Sequence, residues 1–70
     1  MITLEQINKN LQREIKECGL TQTEIAKKLN LSKQTISCYV HGKKMPALDT
    51  FANLCKELDL DPIHILCLNN

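Results

Sequence analysis

Leu4, Ile7, Leu11, Ile15 and Cys18 recur at intervals of three and four residues, with Asn, Lys, Gln, Arg and Glu between them. That period gathers apolar side chains on one face of an α-helix, so it predicts a first helix starting near Leu4. Thr3 and Gln6 make a capping-box pair at its start. Gly19, followed by apolar Leu20, can take the left-handed conformation that ends it.

Thr21 and Glu24 form a second capping box, which opens a helix of about two turns with Ile25, Ala26 and Leu29 on one side. Asn30 tolerates the left-handed conformation and closes it. Ser32 is the N-cap of a third helix over about Lys33 to Val40, which turns Ile36, Tyr39 and Val40 inward and stops at Gly42. Pro46 forbids a continuing helix, so Lys43 to Pro46 reads as a basic loop. Leu48, Phe51, Ala52, Cys55 and Leu58, with Leu54 beside them, then predict a fourth helix. Asp61 and Pro62 cap a short fifth helix bearing Ile63, Ile65, Leu66 and Leu68. The pattern contains no strand signal, repeat or linker, and predicts one all-α domain of five helices over residues 1–70.

Seventy residues, 43% hydrophobic and 24% charged, lie far from a disordered composition but allow only one small core. No apolar run approaches the ~20 residues of a membrane span, and no secretory signal pattern opens the chain. A cytoplasmic protein without membrane association is therefore expected. In that compartment the four cysteines at 18, 38, 55 and 67 are reduced thiols, and Cys18, Cys55 and Cys67 fall at apolar positions as core filler.

The net charge of +1 is uninformative, but its distribution is not. Residues 21–45 carry Lys27, Lys28, Lys33, Lys43 and Lys44 against Glu24 alone, whereas residues 46–70 carry Lys56 against Asp49, Glu57, Asp59 and Asp61. A basic middle beside an acidic end can orient a domain on a polyanion. Two histidines and no set of nucleophile, base and orienting group argue against an enzyme.

The second helix, a tight turn and the third helix form a helix-turn-helix pattern. Ala26 gives the small residue needed where two helices cross steeply, and Ile36 pins the third helix from the inner side. Lys33, Gln34, Ser37 and Cys38 are left exposed. With these residues in place, the chain resembles the phage repressor and Cro-type (Xre) helix-turn-helix family from about Leu11 to Leu66. The matching pieces are TQTEIAKKLNLSKQTIS, HGKKMP and LDTFANLCKELDLDPIHIL.

The resemblance implies a compact, lambda-repressor-like five-helix domain that inserts its third helix into the DNA major groove, with no cofactor. It implies that Lys33, Gln34, Ser37 and Cys38 face base edges, Cys38 more suited to a thymine methyl than to hydrogen bonding. Thr21, Gln22, Thr35, His41, Lys43 and Lys44 would hold phosphates. It further implies a regulator of transcription, a repressor bound as a homodimer to a palindromic operator, with recognition helices about 34 Å apart. Leu60, Ile63, His64 and Cys67 are the candidate dimer contact. The alternative within the same fold is a protein-interaction module, as in antitoxins, with a protein partner in place of DNA or beside it.

Three departures from the family pattern involve four positions. Asn30 and Ala47 stand where many members carry Gly and a capping Ser. Ile15 and Val40 stand where relatives often place an Arg and a Glu, so packing replaces a buried ion pair. The spacing of Cys38 with His41 and of His64 with Cys67 resembles two halves of a zinc site. On the helix-turn-helix reading, however, the pairs belong to separate helices, and the order Cys, His, His, Cys is not that of a zinc finger. No metal is expected.

Overall fold

A computed structural model describes residues 1–69. Five helices follow in order: α1 (Leu4–Glu17), α2 (Gln22–Leu29), α3 (Lys33–Val40), α4 (Leu48–Leu58) and α5 (Pro62–Ile65), with no strand among the described residues. The Cα radius of gyration, 11.3 Å, matches the ~11 Å of a compact chain of this length.

Both expected capping boxes form. Thr3 Oγ1 accepts from the Gln6 N–H at 3.2 Å while Gln6 Oε1 accepts from the Thr3 N–H at 2.9 Å. Thr21 and Glu24 repeat the exchange at 3.1 and 3.0 Å. The helix ends at Gly19, Asn30 and Gly42 turn through the left-handed region, with φ of 84°, 54° and 71°. At the end of α2 the Leu31 N–H reaches Ala26 O and the Asn30 N–H reaches Lys27 O, the paired bonds of a Schellman motif. This is what makes the turn between α2 and α3 so short.

One cluster forms the core, with Leu11 and Ile15 from α1, Ile25 and Ala26 from α2, and Ile36, Tyr39 and Val40 from α3. Leu54 and Leu58 of α4 complete it together with Leu60 and Ile65. The most extensive helix pairing is α2 on α3; α1 packs on α3 and α5, and α2 on α4. Ile15 and Val40 are both buried in this cluster, at 2% and 9% exposure. Cys18 and Cys55 pack half-buried against it, and burial pushes the Cys55 thiol above its ordinary range, so it stays protonated and behaves as an apolar side chain.

Several expectations from periodicity need correction. Leu4 and Leu48, assigned to inner faces, are 72% and 86% exposed, and Ala52 is exposed as well. Leu4 and Leu48 open α1 and α4 and overshoot a core that such a short chain cannot extend to meet them. The fifth helix ends at Ile65, leaving Leu66 and Leu68 outside it. Leu60, expected at a dimer contact, is 7% exposed and part of the core. Its N–H bonds Cys55 O after Asp59 turns left-handed (φ 55°), which folds the side chain inward.

The N-cap of α4 is Ala47, which has extended backbone and no side-chain bond to the helix. A Ser there accepts from an otherwise unpaired N–H. Ala47→Ser is expected to add about 1 kcal/mol of stability and raise the melting midpoint by roughly 4–8 °C. Thermal unfolding followed by circular dichroism measures this; an unchanged or lower midpoint rejects it.

Candidate nucleic-acid interface

The exposed surface of α3 is built by its cap and by its inner face. Ser32 Oγ accepts from the Thr35 N–H at 3.1 Å and lies 2.7 Å from Thr35 Oγ1, so the Thr35 hydroxyl is held at the cap and is half-buried. Ile36, Tyr39 and Val40 anchor the opposite side in the core. Lys33 and Gln34 are thereby left fully exposed, with Ser37 and Cys38 half-exposed behind them.

The charge on α3 is unlike that of the other long helices. Glu5, Glu24 and Asp49 lie in the first turns of α1, α2 and α4 and offset their positive dipole ends. α3 has no acidic residue in its first turn, and Lys33 adds positive charge there. This costs a little helix stability and leaves a positive end suited to an anionic surface.

At the other end, the Lys43 N–H bonds Cys38 O at 2.9 Å and the Gly42 N–H bonds Tyr39 O at 3.2 Å. Gly42 is required here because its φ of 71° is strained for any side chain. From α1, Asn8 Nδ2 donates to Gly42 O at 3.1 Å, which fixes the start of the loop carrying exposed Lys43 and Lys44.

His41 folds back over the last turn of α3, with Nδ1 2.8 Å from Ser37 O and 3.3 Å from Ser37 Oγ. A carbonyl only accepts, so Nδ1 carries the proton. Ser37 Oγ then accepts as well, and its own O–H remains free to donate to a base. Sequence reasoning placed both residues at the interface but not this bond between them.

Thr21 and Gln22 stand at the start of α2, Thr21 exposed and Gln22 half-buried. The Glu24 carboxylate already accepts from the Thr21 N–H, a bond that holds its carboxyl below the usual range. This negative charge occupies the helix end, where the Thr21 hydroxyl, the Gln22 amide and the backbone N–H groups of Gln22 and Thr23 are the remaining donors.

The remaining sequence candidates lie elsewhere. Ile63 is exposed, His64 and Cys67 are half-buried, and all three are held on the α5 side of the molecule. Asn10 of α1 donates from Nδ2 to His64 O and Ile65 O, and to Cys67 Sγ, each at 3.3 Å. Glu14 accepts from the Asp61 N–H at 3.3 Å and places Oε2 3.5 Å from His64 Nδ1. That nitrogen is shielded from solvent without a hydrogen bond, the Glu14 contact being close but not of hydrogen-bonding geometry. Asn10 and Glu14 read as ordinary polar positions in the sequence; their partners are about fifty residues away, so no local signal marks them.

The structure thus brings Lys33, Gln34, Ser37, Cys38 and His41 together along α3, next to Lys43 and Lys44. No helix among the described residues is long and apolar enough to cross a membrane. No curated protein and no solved structure matches the chain. The helix-turn-helix family model matches residues 11–65, which covers all of α2, the turn and α3, and most of the remainder of the chain. With that match over more than half its length, the chain belongs to the helix-turn-helix family of phage-repressor and Cro type.

Proposed function

We propose that this DNA-binding helix-turn-helix domain is a sequence-specific regulator of transcription, a cytoplasmic repressor that reads a palindromic operator as a homodimer. The observation that carries this reading is the exposed first half of α3, with its positive end uncompensated and Lys33 and Gln34 projecting from it. Gln34 has the donor and acceptor that match adenine N7 and N6, and Lys33 can donate to guanine O6 and N7. The Ser37 hydroxyl donates to a neighbouring base acceptor, and Cys38 packs on a thymine methyl. Thr21, Gln22, Thr35, His41, Lys43 and Lys44 hold the sugar-phosphate backbone on either side and set register without adding sequence preference.

A single α3 covers only a few base pairs. Pairing two copies doubles the site and makes its sequence two-fold symmetric. The candidate contact around Leu60, Ile63, His64 and Cys67 presents Ile63 as its exposed apolar side chain, with Leu60 packed behind it.

Selection of bound sequences from a random duplex pool is the decisive experiment. It should enrich an inverted repeat with half-sites about one helical turn apart. Binding should weaken with salt at a log–log slope of about −4, from Lys43 and Lys44 of both copies. A pool that remains random after selection rejects the operator reading.

A further inference from the structure

We infer that a second copy of this chain seats in an apolar groove between the start of α1 and the start of α4. The inference rests on the homodimer reading above and names its contact surface. Leu4 and Ile7 form one wall, Leu48 and Phe51 the other, with Met45 and Pro46 of the loop and Leu66 beyond α5 closing the ends. The cavity between them is about 220 Å³, room for an inserted aliphatic side chain.

Two of the exposed large apolar residues, Leu4 and Leu48, line this groove, and the others adjoin its lining residues along the chain. Met1, Ile2, Leu4, Leu48, Ile63 and Leu68 are the large hydrophobic side chains that face solvent among the described residues. Leu4 and Leu48 line the groove, Met1 and Ile2 lead into Leu4, and Ile63 and Leu68 flank Leu66, with the Leu68 N–H bonded to Ile63 O at 2.9 Å. None of the six is on α2 or α3. At about 100 Å² for each well-exposed aliphatic side chain, they offer on the order of 500 Å², the larger part of the ~800 Å² per partner in a standard stable interface.

The lining also fits a copy of itself. It contains no charged side chain, so a two-fold contact, in which each patch meets the same patch, sets no like charges face to face within the groove itself. A charged peptide would find no counter-charge in it. Leu48 protrudes at the rim of the cavity, so one surface presents both a projecting side chain and a recess to receive its mate. A copy seated here leaves Lys33, Gln34 and the basic loop free for DNA. It also extends the contact beyond Ile63, which alone is too small to hold a dimer.

Sedimentation equilibrium of the full chain tests this, using wild type, a Leu4→Lys/Leu48→Lys double variant, Leu48→Asn and Ile63→Lys. The wild type is expected to be a dimer. The double variant should raise the dissociation constant for self-association at least tenfold and Leu48→Asn raise it less, with helical content near wild type because both sites face solvent in the monomer, and melting midpoints lowered only by the loss of dimer stabilisation. Binding to a single half-site should be unchanged, while affinity for the full inverted repeat falls towards the half-site value. If the double variant loses helical content, Leu48→Asn carries the comparison. Wild-type-like dimerisation of the folded variants overturns the groove assignment, most clearly if Ile63→Lys alone gives monomers. A wild type that is monomeric both free and on selected DNA overturns the groove and the homodimer reading together, while leaving DNA recognition by α3 standing.

Discussion

Val40→Glu is expected to destabilise the domain by about 3–5 kcal/mol, at least about a third of the stability a chain of this size possesses. Val40 is 9% exposed and shares the core with Ile15, which is 2% exposed, so a carboxylate at position 40 loses its hydration and gains no cation. With total stability of roughly 4–10 kcal/mol for seventy residues, the variant retains at most about 7 kcal/mol and, at the low end of that range, is unfolded in plain buffer. Ile15→Arg in the same chain is expected to recover at least 2 kcal/mol, since it supplies the partner that phage-repressor relatives often place there. The Arg–Glu pair should nonetheless be no more stable than the native Ile–Val pair, because desolvating two ions offsets their attraction. Urea unfolding of the four chains of this double-mutant cycle gives each value. Additive effects, with no recovery in the double variant, would show that positions 15 and 40 do not face one another.

Gln34→Ala and Lys33→Ala are each expected to reduce operator affinity by about a hundredfold or more, because the 1–3 kcal/mol of a well-placed base contact is lost in both half-sites, and to relax preference at one base pair of each half-site. Both side chains are exposed and outside the core, so melting should not change. Lys43→Ala or Lys44→Ala should behave differently. Each weakens binding to all duplexes alike and reduces the salt slope by about two, one for each copy in the dimer. Titration of operators substituted one base pair at a time separates the two behaviours. Indifference of DNA binding to Gln34, alongside a tight protein partner, would move the assignment to the protein-interaction role of the same fold.

The elements of this protein were legible because their boundaries are local chemistry. Thr3 with Gln6, Thr21 with Glu24, and Ser32 satisfy N–H groups within three residues of themselves, and Gly19, Asn30 and Gly42 adopt left-handed backbone that few other residues tolerate. The outer face of α3 was legible for a related reason. Ile36, Tyr39 and Val40 fix one side of α3 as inner, which leaves Lys33, Gln34, Ser37 and Cys38 on the other by helical geometry alone. Cys67 was not recognisable as a left-handed residue (φ 61°), because its type does not favour that conformation, and Asp59 (φ 55°), of a type that tolerates it, carried no signal as distinct as that of Gly or Asn.

What the sequence determined by itself is therefore the order of five helices and the span of the first four, the helix-turn-helix at residues 21–40, and the set of side chains on its outer face. Periodicity assigns a residue to one side of a helix, but it does not say how far along the helix the neighbouring elements extend. Only the tertiary structure decided that Leu4 and Leu48 face solvent beside a groove, that Leu60 belongs to the core, and that Asn10 and Glu14 tie α5 to α1. Each of these depends on contacts between residues far apart in the chain, and a seventy-residue core is too small to cover every apolar position that its helices present.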